Sequence, residues 1–245
     1  MFFNFNISFS ENVEFNNQFN NYDTILNTYV DDNGKVNYEA LRSNKEILND
    51  FLIFIKHNSP MNKPNLFKTK NHKKAYWINV YNALAIKIII DNPNKNILDI
   101  HLIDHFVFLK KFIIGGEKYS LYDIENKILR KKYFDPRVHF AINCASNSCP
   151  ILQNNIYNPD SLDNQLNTNT LKFINNSKNV LIDSENKLIY LNKIFKWYKN
   201  DFNKKYVNIN DFIYYFLIDK KKINKSDFLK FKLKYNDYDW KLNKQ

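Results

Sequence analysis

The sequence contains little cysteine and little arginine, and it has no long apolar run. Two cysteines in 245 residues are too few for a disulfide scaffold, so reduced thiols are expected. Of the histidines, only His139 lies near them in the sequence, and neither a metal site nor a cofactor is predicted. No window reaches eighteen consecutive apolar residues, which excludes a transmembrane helix from the prediction.

The N-terminus lacks the marks of an export signal. Residues 1–15 have no basic start, no extended apolar centre and no small-residue cleavage site, so we expect a cytoplasmic protein. The net charge of +11 comes almost entirely from scattered lysines. The densest runs, Lys110–Lys111 and Lys220–Lys222, lack interleaved arginine and aromatic residues, which disfavours nucleic acid. The expected ligand is a small molecule or a peptide.

The order of apolar patterns predicts a single α+β domain. Residues 1–20 are polar with isolated phenylalanines and are expected to be loosely ordered, with one domain over residues 21–245. The segment "AYWINVYNALAIKIII" is apolar almost all the way round, which is typical of a buried helix. We expect this helix to be central and to pack on a small mixed or antiparallel sheet.

Shorter patterns flank the central helix. Gly115 and Gly116 join two apolar segments and predict a hairpin, and Ser184 to Asn186 predict another. Ser120 and Asp123 have the spacing of a capping box at the start of a helix.

One short segment, "DPRVHFAINCASNSCPIL" over residues 135–152, concentrates the scarce side chains. It holds both cysteines, one of five histidines and one of three arginines. Alternation in "RVHFAIN" predicts a strand with Arg137, His139 and Asn143 on one face. The following loop would return Cys149 towards His139, and a thiol beside an imidazole is the minimal activated nucleophile. The alternative is a buried cysteine and a hydrogen-bonded core histidine.

Three further polar residues stand in apolar patterns. Asn79 and Asn82 lie three apart on one face of the central helix, and an unpaired buried amide costs about 1–3 kcal/mol. Both are therefore expected to be buried and hydrogen-bonded, either fixing a neighbouring loop or lining the pocket of His139. Glu125 lies at the edge of an apolar stripe, where Arg137 is its expected ion-pair partner.

Five segments resemble, in order, the hallmark segments of a family of bacterial and plant proteins known as domain of unknown function 547. They are "TYVDDNGKVNYEAL", "AYWINVYNALAIKIII", "YSLYDIENKILR", "DPRVHFAINCASNSCPIL" and "YDWKLN", and the likeness spans about residues 22–242. The family often has glycine where Ser148 stands, and plant members can have serine or aspartate where Cys149 stands. A buried helix before strands that carry a histidine also resembles papain-like and transglutaminase-like cysteine hydrolases.

Three functions fit this sequence. The first is a thiol-dependent hydrolase or acyl transferase, with Cys149 as nucleophile, His139 as base and Asn79 or Asn82 orienting it or donating to an oxyanion. The second is a non-catalytic binding or scaffold module, in which the asparagines, Arg137, Glu125 and His139 hold a loop that recognises a partner. The binding residues expected at this pocket are Asn79, Asn82, Arg137, Asn143, Ser148 and Glu125. The third is a thiol redox protein, although four residues separate Cys144 from Cys149 instead of the usual two.

Geometry discriminates between the three. A Cys149 sulfur against the His139 ring in an open pocket favours the hydrolase or acyl transferase. A Cys149 in apolar surroundings, or a closed pocket, favours the binding module. Two sulfurs within bonding distance favour the third.

Overall fold

The computed structural model describes residues 9–93, 95, 99, 107–220 and 223–245. Its α-helices are α1 (Phe9–Tyr29), α2 (Tyr38–Ser43), α3 (Glu46–His57), α4 (Lys70–Asp91), α5 (Leu121–Asp123), α6 (Leu162–Ile174), α7 (Ile194–Trp197), α8 (Lys199–Asn203), α9 (Ile209–Phe216) and α10 (Lys225–Phe228). Its strands are β1 (Phe112–Ile114), β2 (Glu117–Tyr119), β3 (Val180–Asp183), β4 (Leu188–Leu191) and β5 (Lys232–Tyr235). The fold is α+β, as predicted. Within the described residues, no helix is long and apolar enough to cross a membrane.

The central helix α4 is buried on all sides, which confirms its prediction. Thr69 caps it by accepting a hydrogen bond from the His72 amide, and every residue from 75 to 86 is buried. Most of its packing comes from α2, α3 and the helix over residues 121–132. A helix without a polar face requires partners on every side, and these elements supply them.

The N-terminal segment is more ordered than predicted. Helix α1 begins at Phe9, which corrects the expectation of a loose segment for residues 9–20, while residues 1–8 lie outside the described residues. Phe15 and Phe19 anchor it, with ring centroids 5.2 Å from Phe67 and 5.3 Å from Phe51 respectively. The isolated phenylalanines are therefore core contacts. A domain boundary at residue 20 remains a prediction.

Both predicted hairpins are present. Strands β1 and β2 pair antiparallel, and Gly115 and Gly116 between them adopt φ of +59° and +85°, which glycine tolerates. Strands β3 and β4 pair antiparallel, and β5 adds to β4 in parallel, which gives a mixed three-stranded sheet. A second group of buried residues joins this sheet to α9 and to the end of α6.

The helix that follows β2 changes its pitch. Ser120 and Asp123 form the predicted capping box at α5, and the chain then continues as a π-helix (Ile124–Lys132). The amide of Tyr133 donates to the carbonyl of Ile128, five residues back, at 2.9 Å. Such wide turns often accompany functional sites, and this one carries Glu125.

The predicted strand at residues 137–143 is wrong. A 3-10 helix (Pro136–Phe140) occupies this position, because Asp135 accepts a hydrogen bond from the Arg137 amide and Pro136 supplies a helical φ at the first position. Consecutive residues 138 to 143 are all buried, so the period of two does not apply. The expected common face of Arg137, His139 and Asn143 therefore does not exist.

Candidate functional site

An open pocket of about 360 Å³ lies between the π-helix, the 3-10 helix and residues 236–245, which follow β5 and are called the C-terminal segment. Aromatic rings form about half of its wall: Tyr81, Phe108, Tyr122, Trp197, Tyr198, Tyr238 and Trp240. The remaining lining residues are Glu125, Asn126, His139, Ile142, Cys144, Cys149, Pro150 and Ile194. A concave, mostly apolar pocket with a few converging polar groups is the usual form of a small-ligand site.

The two cysteines at this pocket are joined. Cys144 and Cys149 form a disulfide, which corrects the expectation of reduced thiols, and the chain contains no further cysteine. Both residues are half-buried and line the pocket. The bond is therefore accessible to a ligand that occupies the pocket.

The loop that carries the disulfide is held at both ends. Asn143 accepts a hydrogen bond from the Ala145 amide at 2.6 Å and donates to the Pro150 carbonyl at 2.7 Å. Ala145 has φ of +64°, a left-handed conformation that costs a non-glycine residue about 1–2 kcal/mol. Hydrogen bonds to the C-terminal segment help to offset this cost, because the amides of Asn147 and Ser148 donate to the carbonyls of residues 241 and 239.

The two sulfur atoms have different surroundings. Cys149 Sγ accepts hydrogen bonds from the Cys144 amide at 3.0 Å and from the Tyr238 hydroxyl at 3.2 Å. Ser146 Oγ in turn donates to the Tyr238 oxygen at 3.2 Å. Burial raises the pKa of Tyr238, so this hydroxyl keeps its proton and remains a donor. Cys144 Sγ has only longer contacts, at 3.3 Å to Ser146 Oγ and 3.5 Å to the Tyr238 hydroxyl, so a negative charge is better stabilised on Cys149.

His139 is oriented by a buried carboxylate. Its Nε2 lies 2.9 Å from Asp201 Oδ2, which also accepts from Arg130 Nε at 2.5 Å, and its ring stacks on Tyr198 at 3.9 Å. Burial lowers the pKa of His139 in spite of Asp201, so the ring is neutral near neutral pH. Because a carboxylate only accepts, the proton lies on Nε2 and Nδ1 carries a lone pair. Nδ1 is buried without a partner among the described residues.

Asp201 remains ionised beneath this ring. Burial alone would raise the pKa of Asp201, but hydrogen bonds from His139 and Arg130 outweigh burial and hold it well below its usual range. The pair resembles the base and orienting carboxylate of a catalytic triad in its hydrogen bonding.

The predicted ion pair between Glu125 and Arg137 is wrong. Arg137 is instead held by Asp135 and Asp163, at 2.8 and 2.7 Å. Glu125 lies in the pocket wall, 8% exposed, with the Tyr81 hydroxyl 3.5 Å from its Oε2. Its Oε1 is buried and has no hydrogen-bond partner among the described residues.

Asn79 and Asn82 are buried and hydrogen-bonded, as predicted. Asn82 donates to the Ala141 carbonyl at 3.0 Å and accepts from the Asn143 amide at 2.9 Å. Asn79 likewise donates to the Tyr157 carbonyl and accepts from the Tyr157 amide, both at 2.9 Å. Both amides thus fix backbone segments, which favours the loop-fixing interpretation. Ser148 faces another, polar pocket, and its Oγ accepts from the Asp239 amide.

Several residues of this site were not predicted. Asp201, Tyr198 and Trp197 come from α7 and α8, and Tyr238 and Trp240 from the C-terminal segment, about 50 to 100 residues beyond the disulfide loop in the sequence. The "YDWKLN" motif was the available signal, because it pairs two aromatic residues with the segment that contacts the loop.

Comparison with known protein families gives a match over part of the chain. The family model described as "Protein of unknown function, DUF547" covers residues 65–174, about half of the chain. This region includes α4, Glu125, His139 and both cysteines, but it is shorter than the span of about 22–242 that the resemblance implied. No curated protein and no solved structure matches the chain.

The Arg137 network makes a prediction about stability. Arg137→Ala should lower the free energy of unfolding by about 3 kcal/mol, because Asp135 would stay buried with only Lys74 as its cation. The control Asp163→Asn removes an exposed partner of the same guanidinium and should cost less than about 1 kcal/mol. Urea unfolding at neutral pH measures both losses. Equal losses would show that the guanidinium is not held as a buried pair.

Proposed function

We propose that this chain, which belongs to the DUF547 family of proteins of unknown function, is a thiol–disulfide oxidoreductase that uses Cys144 and Cys149. The observation that carries the proposal is the position of the disulfide, half-buried in the wall of an open apolar pocket. Strained or accessible disulfides are characteristically labile, catalytic or regulatory, whereas purely structural ones resist reduction.

The unequal surroundings of the sulfurs assign their roles. A substrate thiolate attacks Cys144 Sγ, the disulfide breaks, and Cys149 departs as a thiolate stabilised by the Cys144 amide and the Tyr238 hydroxyl. A second thiolate of the substrate then attacks the substrate sulfur of this mixed disulfide and releases Cys144. The substrate leaves as a disulfide, and the protein has gained two electrons.

Protons and the return step complete the cycle. His139 lines the pocket and is neutral, so we propose that it accepts the proton of an incoming thiol. A disulfide of another molecule, such as oxidised glutathione, restores the Cys144–Cys149 bond and accepts the two electrons. The substrate is a small-molecule dithiol or a peptide dithiol, in keeping with the pocket volume. We place the activity in the cytoplasm, where disulfides are usually transient, catalytic or redox-sensing.

Turnover of a dithiol tests this function. The protein should oxidise a two-cysteine peptide with oxidised glutathione as the terminal oxidant, and both Cys144→Ser and Cys149→Ser should abolish turnover. Cys149→Ser, treated with oxidised glutathione, should form a mixed disulfide between Cys144 and one glutathione and release the other as a thiol, which mass spectrometry detects. Tyr238→Phe removes a hydrogen bond to the departing thiolate, worth about 1.5–3 kcal/mol, and should slow the reaction roughly ten- to a hundredfold.

Tyr235→Phe is the matched control, since it removes a hydroxyl from β5 outside the pocket and should leave the rate unchanged. A disulfide that dithiols reduce only after denaturation would contradict the proposal and leave a binding module.

A second candidate function is acyl transfer by the reduced protein. The observation that favours it is the His139–Asp201 pair: His139 and Cys149 line the same pocket, and Nδ1 has no hydrogen-bond partner among the described residues. Here His139 takes the proton of the Cys149 thiol, Cys149 attacks a carbonyl carbon and expels the leaving group, and His139 passes that proton to the leaving group. Water then hydrolyses the thioester and releases the acid.

Acyl probes distinguish the two candidates. If acyl transfer occurs, the reduced protein should hydrolyse activated esters, the oxidised protein should not, and Cys149→Ser should lose the activity. Asp201→Asn should lower the rate by about a hundredfold or more, because the wrong tautomer of His139 is then favoured. Ester hydrolysis that is equal in the oxidised protein, the reduced protein and Cys149→Ser would exclude this candidate.

A further inference from the structure

The pocket combines an aromatic wall with one acidic side chain. Three rings form a compact cluster, with centroids 4.8 Å apart for Trp197 and Tyr238, 4.5 Å for Tyr238 and Trp240, and 5.7 Å for Trp197 and Trp240. Trp197 is 44% exposed, so this cluster reaches the opening of the pocket. The faces of tryptophan rings attract cations through their quadrupole.

The acidic side chain is Glu125, which makes no salt bridge among the described residues, although the Arg130 guanidinium is near enough to interact with it electrostatically. No lysine or arginine is among the described residues that line the pocket. The guanidinium of Arg130 donates to Asp201 and Asn126. Among the described residues, Oε1 of Glu125 is buried without a hydrogen-bond partner; the hydroxyl of Tyr81 lies 3.5 Å from Oε2, and that of Tyr198 also neighbours the carboxylate. A buried carboxylate is costly unless a cation or strong donors compensate it.

From these two features we propose that the pocket binds an alkylammonium group, such as a trimethylammonium group, with the methyl groups against the rings and the charge facing Glu125. Among the described lining residues Glu125 is the one carboxylate, whereas Ca²⁺ or Mg²⁺ would require several oxygen ligands. Aromatic cages with a nearby carboxylate suit quaternary ammonium groups because such cations shed water easily and fit between ring faces. The π-helix matters here because it turns Glu125 into the pocket wall.

The ligand class deepens the proposed function, since a thiol substrate anchored at Glu125 would lie in the same pocket as Cys144. It rests on the proposed function only through this shared pocket, not through exchange chemistry. Binding can be measured on the Cys144→Ser, Cys149→Ser double variant, which has no thiol or disulfide. Choline binding without dithiol oxidation would support the ligand class and contradict the redox function. Dithiol oxidation without choline binding would support the redox function and contradict the ligand class.

Choline and its uncharged analogue, in which carbon replaces the ammonium nitrogen, provide the test. Calorimetry and the fluorescence of Trp197 and Trp240 report binding at the pocket. Choline should bind the protein at least about tenfold more tightly than the analogue, because the two have the same shape and only one is a cation. The affinity of a peptide that carries trimethyllysine is measured in parallel. Tighter binding of the peptide than of choline indicates that the group belongs to a peptide, and tighter binding of choline indicates a small molecule.

Glu125→Gln keeps the shape of the side chain and removes its charge, so it should weaken choline binding about tenfold or more while binding of the analogue stays the same. Glu117→Gln, on the exposed side of β2, should change neither. Equal affinity for choline and the analogue in the unmodified protein would overturn the proposal even if the Glu125 variant fails to fold. Unchanged choline binding in a folded Glu125→Gln would overturn it as well.

Discussion

The fold depends on satisfying two buried amides in a helix that has no polar face. Because α4 is enclosed on all sides, Asn79 and Asn82 must find partners inside the protein, and each takes both a carbonyl and an amide from another segment. An unpaired buried amide would cost about 1–3 kcal/mol, so these bonds allow little movement of the segments they hold. One segment is the start of the disulfide loop, where Asn143 continues the network to Pro150.

This network explains how a short loop can keep a strained residue and still present its sulfurs to a pocket. Asn82 holds the loop from the core, and the C-terminal segment holds it from the outside through the amides of Asn147 and Ser148. Tyr238, from that same segment, reaches Cys149 Sγ. The pocket therefore joins the core around α4 to the C-terminal half of the chain, with His139 and Asp201 at the junction.

Patterns that depend on neighbours in sequence were predictable, and contacts between distant segments were not. The all-round apolar pattern of α4, the capping box at Ser120 and both hairpins are local, and each was predicted. The strand at residues 137–143 was wrong because Pro136 and the Asp135 cap favour a 3-10 turn over the alternation. The prediction of a Glu125–Arg137 ion pair is wrong as well, because it assumed that strand. Tyr238 and Asp201 reach the pocket only through the tertiary fold, so their roles could not be read from spacing.

The reduction potential of the Cys144–Cys149 pair tests the central claim most directly. The native protein would be equilibrated with glutathione buffers, and its free thiols counted by alkylation and mass spectrometry. Hydrogen bonds to Cys149 favour the reduced form, so the potential should lie between about −270 and −120 mV, the range of thiol–disulfide oxidoreductases. A value below about −300 mV would identify a structural disulfide and contradict the account.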